Sequence, residues 1–149
     1  MSGRRSNIMA RVSTRVTSKP RYKSVLSQYT ADTKALVGRA TNLVRNTAVQ
    51  SIQQGSKSGV VYEKYNPRRT HTASAAGQPP ATDTGFLVNN IALKIDSDGL
   101  GGSVESRADY SAFLEFGTSK MAARPFMQPA LESNKNKIRQ LEKRMIKAK

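Results

Sequence analysis

Residues 110–131 constrain the fold more than any other part of the chain, because aromatic anchors, a glycine and two prolines crowd into one short span. Three of the four phenylalanines and two of the six prolines fall there. Tyr110, Phe113, Leu114 and Phe116 recur about one helical turn apart, so a short helix is expected to bury most of them on one side. Gly117 sits where a helix ends in a left-handed residue, a conformation only glycine adopts cheaply. Residues 118–123 read as a small-residue loop from Thr118 onward. Arg124, Pro125 and Phe126 restart ordered structure, and Pro129 suits the first turn of a new helix, where a missing N–H costs nothing. Phe113, Phe116 and Phe126 are expected to hold the fold. Arg124 is expected to fix the loop through a carboxylate such as Glu115.

Upstream, residues 24–54 are helical in pattern. Val25, Leu26, Tyr29, Thr33, Leu36, Ala40, Leu43, Val44, Ala48 and Ile52 recur at three- and four-residue steps. Thr30 and Asp32 are candidate caps for a later start, and Gly55 is a fitting stop. Gly38 weakens the interior by roughly 1 kcal/mol relative to alanine, which leaves room for close packing there. Core packing is the expected role of this helix. Residues 59–74 read as a hairpin: 60–65 is β-prone, Asn66-Pro67 marks the turn and the chain returns from Arg68. Residues 75–83 form a Pro/Gly loop, with Thr82 or Asp83 capping a short helix from Thr84 to about Asn90. Residues 91–96 alternate apolar and polar as a half-buried strand does, 98–102 turn, and 103–107 supply its partner.

The last helix is expected from Pro129 to the end. Leu131, Asn134, Ile138, Leu141 and Met145 make a narrow apolar stripe among lysines and arginines. Three roles compete for it: packing on the first helix, facing an anionic membrane, which so weak an apolar face disfavours, and turning a basic side toward DNA.

Two stretches carry a resemblance. The first is Tyr110-x-x-Phe113-Leu114-Glu115-Phe116-Gly117-Thr118-Ser-Lys-Met-x-Ala-Arg124-Pro125-Phe126-x-x-Pro129-Ala130-Leu131. The second lies upstream, from Ala73 to Thr84 and Gly85 through Gly77, Pro79 and Pro80, followed by Leu87 and Ile91. In this order they resemble the neck, or tail-completion (head–tail joining), proteins of long-tailed bacteriophages, related to the minor tail protein Z group. The match covers roughly residues 70–131; Phe86 and Val88 depart from it, where the family more often carries a polar and a basic residue. The resemblance implies a projecting hairpin at about 59–74 and a virion protein that forms a ring in the neck, at the head–tail interface. It implies assembly in the host cytoplasm as a homo-oligomer, hexamer or dodecamer. Its neighbours would be a head-closure or portal-side connector protein and a tail terminator or tail tube protein, with genomic DNA held non-specifically in the lumen.

Composition bounds these expectations. The 149 residues suit one domain with a modest core, but only 37 % are hydrophobic and none is tryptophan, so part of the chain is expected to be arm. There is no cysteine, hence no disulfide framework and no thiol chemistry. No apolar run approaches a membrane span, and the basic N-terminus lacks the apolar segment of a secretory signal, so a soluble protein is expected. The net charge of +15 is concentrated at the ends. Residues 1–59 hold eleven Lys/Arg and one acid, 60–116 hold five and seven, and 117–149 hold nine and two. A near-neutral scaffold with two basic extensions follows, those charges serving either solubility or contact with DNA or an acidic partner. Candidate DNA or partner contacts are Arg4, Arg5, Arg11, Arg15, Lys19 and Arg21 in a flexible arm of residues 1–23, Arg68 and Arg69 on the hairpin, and Lys143 and Arg144 near the end.

Sites of chemistry are not favoured. His71 is the only histidine, and with no cysteine it cannot build a usual zinc site. No Gly-x-Ser-x-Gly elbow occurs, and the glycines at 99–102 lack the Lys-Ser/Thr of a phosphate loop. No catalytic residue, metal or cofactor is expected. The expected architecture is α+β: an arm over 1–23, then one domain over 24–149. That domain pairs a small antiparallel sheet and projecting hairpin with a long N-terminal and a C-terminal helix on one face. A small basic nucleic-acid-binding protein is the alternative function.

Overall fold

The structure is a computed structural model and describes residues 20–147. In chain order it contains α1 (Pro20–Gln54), β1 (Val61–Tyr65), β2 (Arg68–Thr72), α2 (Phe86–Asn89), β3 (Ile91–Ile95), β4 (Gly102–Ser106), α3 (Ser111–Phe116) and α4 (Met127–Lys147). The fold is α+β. Its strands form two separate two-stranded antiparallel sheets: β1–β2, the hairpin, and β3–β4. The hairpin pairs Val61 with Thr72 and Tyr65 with Arg68 across the Asn66–Pro67 turn, and β3–β4 pairs Ile91 with Ser106 and Ile95 with Gly102. An N–H from Arg107 to the Asn90 carbonyl extends the second ladder by one rung.

The described residues of α1 run from Pro20, so the last four residues expected in the arm are helical. The candidate contacts from Arg4 to Lys19, and the rest of the arm, lie outside the described residues. At about 1.5 Å per residue, a 35-residue helix is roughly 50 Å long and the 21 residues of α4 only about 30 Å. The two helices therefore cannot cover each other fully. The consequence is a correction: Val25, Leu26 and Tyr29 of the expected apolar stripe are exposed. Only the C-terminal part of α1 enters the core, with Val44, Ala48 and Ile52 buried against Leu87, Val88, Ile91, Ala108, Phe126 and Ala130. Gly38 makes no close approach either, since a Cβ there would meet nothing within 4 Å.

α4 packs on α1, as expected of it. Its inward line runs through Met127, Ala130, Asn134, Ile138, Leu141 and Met145, at steps of three and four. Leu131 lies off this line and is exposed, because Ala130 takes the inward position. Asn134 is a polar residue at the centre of the seam, and it is satisfied there. Its amide nitrogen donates to the Thr47 hydroxyl and to the Ala130 carbonyl, both at 2.8 Å. The first bond ties α4 to α1, and the second, within α4, satisfies the other N–H of the buried amide.

Candidate assembly interface

Phe126, Glu115 and Pro129 together explain how the 110–131 stretch holds its shape. Phe126 is 1 % exposed and is the largest fully buried side chain. Directly after it α4 begins, and a helix start leaves four N–H groups without helical partners. Glu115 reaches across from α3 and accepts three N–H groups at this start. Its Oε2 accepts the N–H of Phe126 at 2.9 Å and of Met127 at 3.0 Å, and its Oε1 accepts the N–H of Gln128 at 2.8 Å. The next position is Pro129, which has no N–H. A carboxylate at a helix N-terminus also meets the positive end of the helix dipole. The expected partnership of Arg124 with Glu115 is therefore corrected: the carboxylate is taken by backbone amides, and Arg124 is held by other contacts. Its own N–H donates to the Leu114 carbonyl at 2.6 Å, and its Nη1 rests 3.9 Å from the Met121 sulfur.

Gly117 ends α3 with φ 75° and ψ −178°, a region open to glycine alone. A Cβ there would come within 2.8 Å of both the Ala123 nitrogen and the Met121 carbonyl oxygen. The following loop closes on itself, with Thr118 and Met121 exchanging backbone hydrogen bonds of 2.8 and 3.3 Å. The Gly77 N–H donates to the Ala123 carbonyl at 2.9 Å, so the two motif stretches, more than forty residues apart at this contact, meet in space.

The aromatic side chains of the motif depart from expectation. Phe113 is 57 % exposed, Phe116 79 % and Tyr110 41 %, and α3 buries no residue fully. Leu114 alone faces the core, where it is half-buried. A helix of six residues has too few turns to bury one side of Phe113 and Phe116 when Glu115 and Leu114 already occupy its inward face. Phe86 is exposed too, its ring 6.2 Å from that of Tyr110. Three of the four phenylalanines thus stand on the surface, and only Phe126 holds the core. The hairpin adds exposed Val61, Tyr62 and Tyr65. Among the described residues, large exposed apolar side chains therefore stand on α3, the α2 turn and the hairpin together.

Neither Thr82 nor Asp83 caps a helix as expected. α2 is a single turn whose N-cap is Gly85, φ 79°, with no side-chain cap. The Thr84 hydroxyl accepts the Phe86 N–H at 3.3 Å. Asp83 turns instead to the hairpin. It accepts a hydrogen bond from Lys64, lies 3.2 Å from Arg69 Nη2 and 3.7 Å from His71 Nδ1. Arg69 is accordingly committed to Asp83 rather than presented for DNA, whereas Arg68 is exposed. Lys143 and Arg144 are exposed on α4, and Arg144 borders a groove of about 980 Å³ between α4 and the first part of α1. No sequence signal pointed to the Asp83 cluster, because its members are brought together only by the fold of the loop against the hairpin.

The Lys64 hydrogen bond, aided by the charges of Arg69, Lys64 and His71, holds the Asp83 carboxyl below its ordinary value of 3.8, against a smaller opposing effect of desolvation. A depressed folded-state pKa contributes stability that is fully present above the unfolded value and is lost as pH falls through the folded one. Asp83→Asn should therefore lower the urea midpoint at pH 7, and the gap from wild type should close as pH drops below about 4. A gap that persists unchanged at pH 2 would show that the cluster acts through packing alone.

Among the described residues no helix is long and apolar enough to cross a membrane, and no three His, Cys, Asp or Glu side chains are grouped to hold a metal. No protein-family model, curated protein or solved structure matches the chain.

Proposed function

We propose that this chain is a virion protein of the phage neck, forming a homo-oligomeric ring that joins the DNA-filled head to the tail and completes the tail's head-proximal end. The observation that carries this reading is the placement of the motif's aromatics. The residues that resemble the neck family divide into an inner set that builds the α3–α4 junction and an outer set, Tyr110, Phe113 and Phe116, exposed on the surface. A ring repeats one heterologous contact until it closes, and such a contact needs apolar surface that an isolated subunit leaves uncovered. The exposed edge of the hairpin and the uncovered first part of α1 offer further reach toward neighbours. The exposed lysines and arginines of α4 suit weak contact with passing phosphates, without readout of bases. On this reading the work is done by binding rather than by catalysis.

The test is imaging of particles assembled without the protein. Full heads and finished tails left unjoined are the expected result; normal virions would overturn the reading. The net charge of +15 supports a second reading, a small basic nucleic-acid-binding protein. That alternative requires tight DNA binding by the monomer with a steep salt dependence, whereas the neck role requires weak DNA binding and salt-tolerant assembly.

A further inference from the structure

A pocket of about 310 Å³ lies between the hairpin base, the loop before α2, and α3. Asp83 and Arg124 are its charged walls, and His71, Ser74 and Tyr110 also line it. Two of these groups have polar atoms without partners in the protein. Ser74 is 1 % exposed, and its hydroxyl makes no hydrogen bond. The Arg124 Nε is buried and makes none either, and the nearest partner of the guanidinium is the soft Met121 sulfur. No carboxylate of the described residues lies within salt-bridge distance of Arg124. Buried hydroxyls and guanidinium N–H groups are nearly always satisfied, and a planar guanidinium fork matches a carboxylate best. Asp83, the one acid in the wall, does not fill this need, because Lys64 and Arg69 already hold it.

We propose that this pocket receives the C-terminal carboxylate of a partner protein that ends in an apolar residue. Arg124 and Ser74 take the carboxylate, and Leu87, Leu114 and the Phe86–Tyr110 ring pair receive the apolar part. Inorganic phosphate has no apolar part to set against Leu87, Leu114 and the Phe86–Tyr110 pair, so the lining favours a carboxylate on a hydrocarbon stem. The pocket adjoins the exposed aromatics, so its occupant would continue an apolar contact into a buried charged one. The inference rests on the pocket alone and stands or falls separately from the neck role.

The test is a titration of the isolated full chain, followed by amide and arginine Nε–H shifts, with N-acetyl-leucine, N-acetyl-leucinamide and inorganic phosphate. N-acetyl-leucine is expected to bind saturably, with shifts at Ser74, Phe86, Tyr110 and the Arg124 Nε–H. Its amide should bind about tenfold more weakly, the loss that follows from removing a charge-assisted hydrogen bond. Arg124→Gln should weaken binding by at least about tenfold, Arg124→Lys by less, and Ser74→Ala by a few-fold, each with an unchanged circular dichroism spectrum. Equal binding of acid and amide, stronger binding of phosphate, no saturable binding at all, or undiminished binding by folded Arg124→Gln would each overturn the proposal.

Discussion

Phe126→Ala should destabilise the chain by about 3–5 kcal/mol, the usual cost of emptying a fully buried phenylalanine site. Phe126 is 1 % exposed and shares a core of few large side chains with Ala48 and Ile52 of α1, the α2 turn and Ala130 of α4. With only 37 % hydrophobic residues there is little else to collapse into the void. A domain of ordinary stability, about 5–15 kcal/mol, would lose much of its margin. Chemical denaturation of the purified chain measures this directly. The informative comparison is with Phe113→Ala and Phe116→Ala. Both rings are more than half exposed, so each change should stay within about 0.5 kcal/mol in the isolated chain while weakening assembly. If Phe116→Ala cost as much stability as Phe126→Ala, the outer aromatics would belong to the core and the interface built on them would fail.

Glu115→Ala has the second large effect expected, about 2–3 kcal/mol. Charge-assisted hydrogen bonds contribute roughly 1.5–3 kcal/mol each, but the site is half-exposed and water can replace part of what is lost. Three amides are freed together, at the point where Phe126 enters the core, so the first turn of α4 should fray. Hydrogen exchange at Phe126, Met127 and Gln128 should rise well before exchange in the rest of α4. Glu115→Gln should fall between the two, since one amide oxygen cannot serve N–H groups that now use both carboxylate oxygens. A double-mutant cycle of Glu115→Ala with Arg124→Ala should show coupling below about 0.5 kcal/mol, because the two side chains do not meet. Coupling well above that would restore the ion pair and remove Arg124 from the pocket.

Much of this fold is legible in the order of residues. The period of three to four over residues 24–54, the β-prone run broken by Asn66-Pro67, the alternation at 91–96 and the glycine at 117 each mark an element that forms within a few residues of its expected bounds. These are local signals, set by backbone sterics and by which side chains tolerate a helix or a strand. The site is far less legible. Glu115 and Arg124 look like natural partners in the sequence, nine residues apart and opposite in charge. Glu115 instead answers to three backbone amides, and no pattern of side-chain types announces where main-chain donors will point. Asp83 looks like a helix cap because it precedes a short helix. The hairpin cations outcompete that role only once the loop is laid against them.

By itself the amino-acid sequence determined which segments are helix, strand and turn, that positive charge gathers toward the two ends, and that cysteine chemistry is absent. Tertiary structure alone decided which face of each segment is hidden. Burial depends on the relative lengths and crossing of α1 and α4, and on what already fills the inward side of α3, and these are properties of packed bodies rather than of sequence period. That is why Phe126 lies in the core while Phe113 and Phe116, equally apolar and in the same short stretch, face outward.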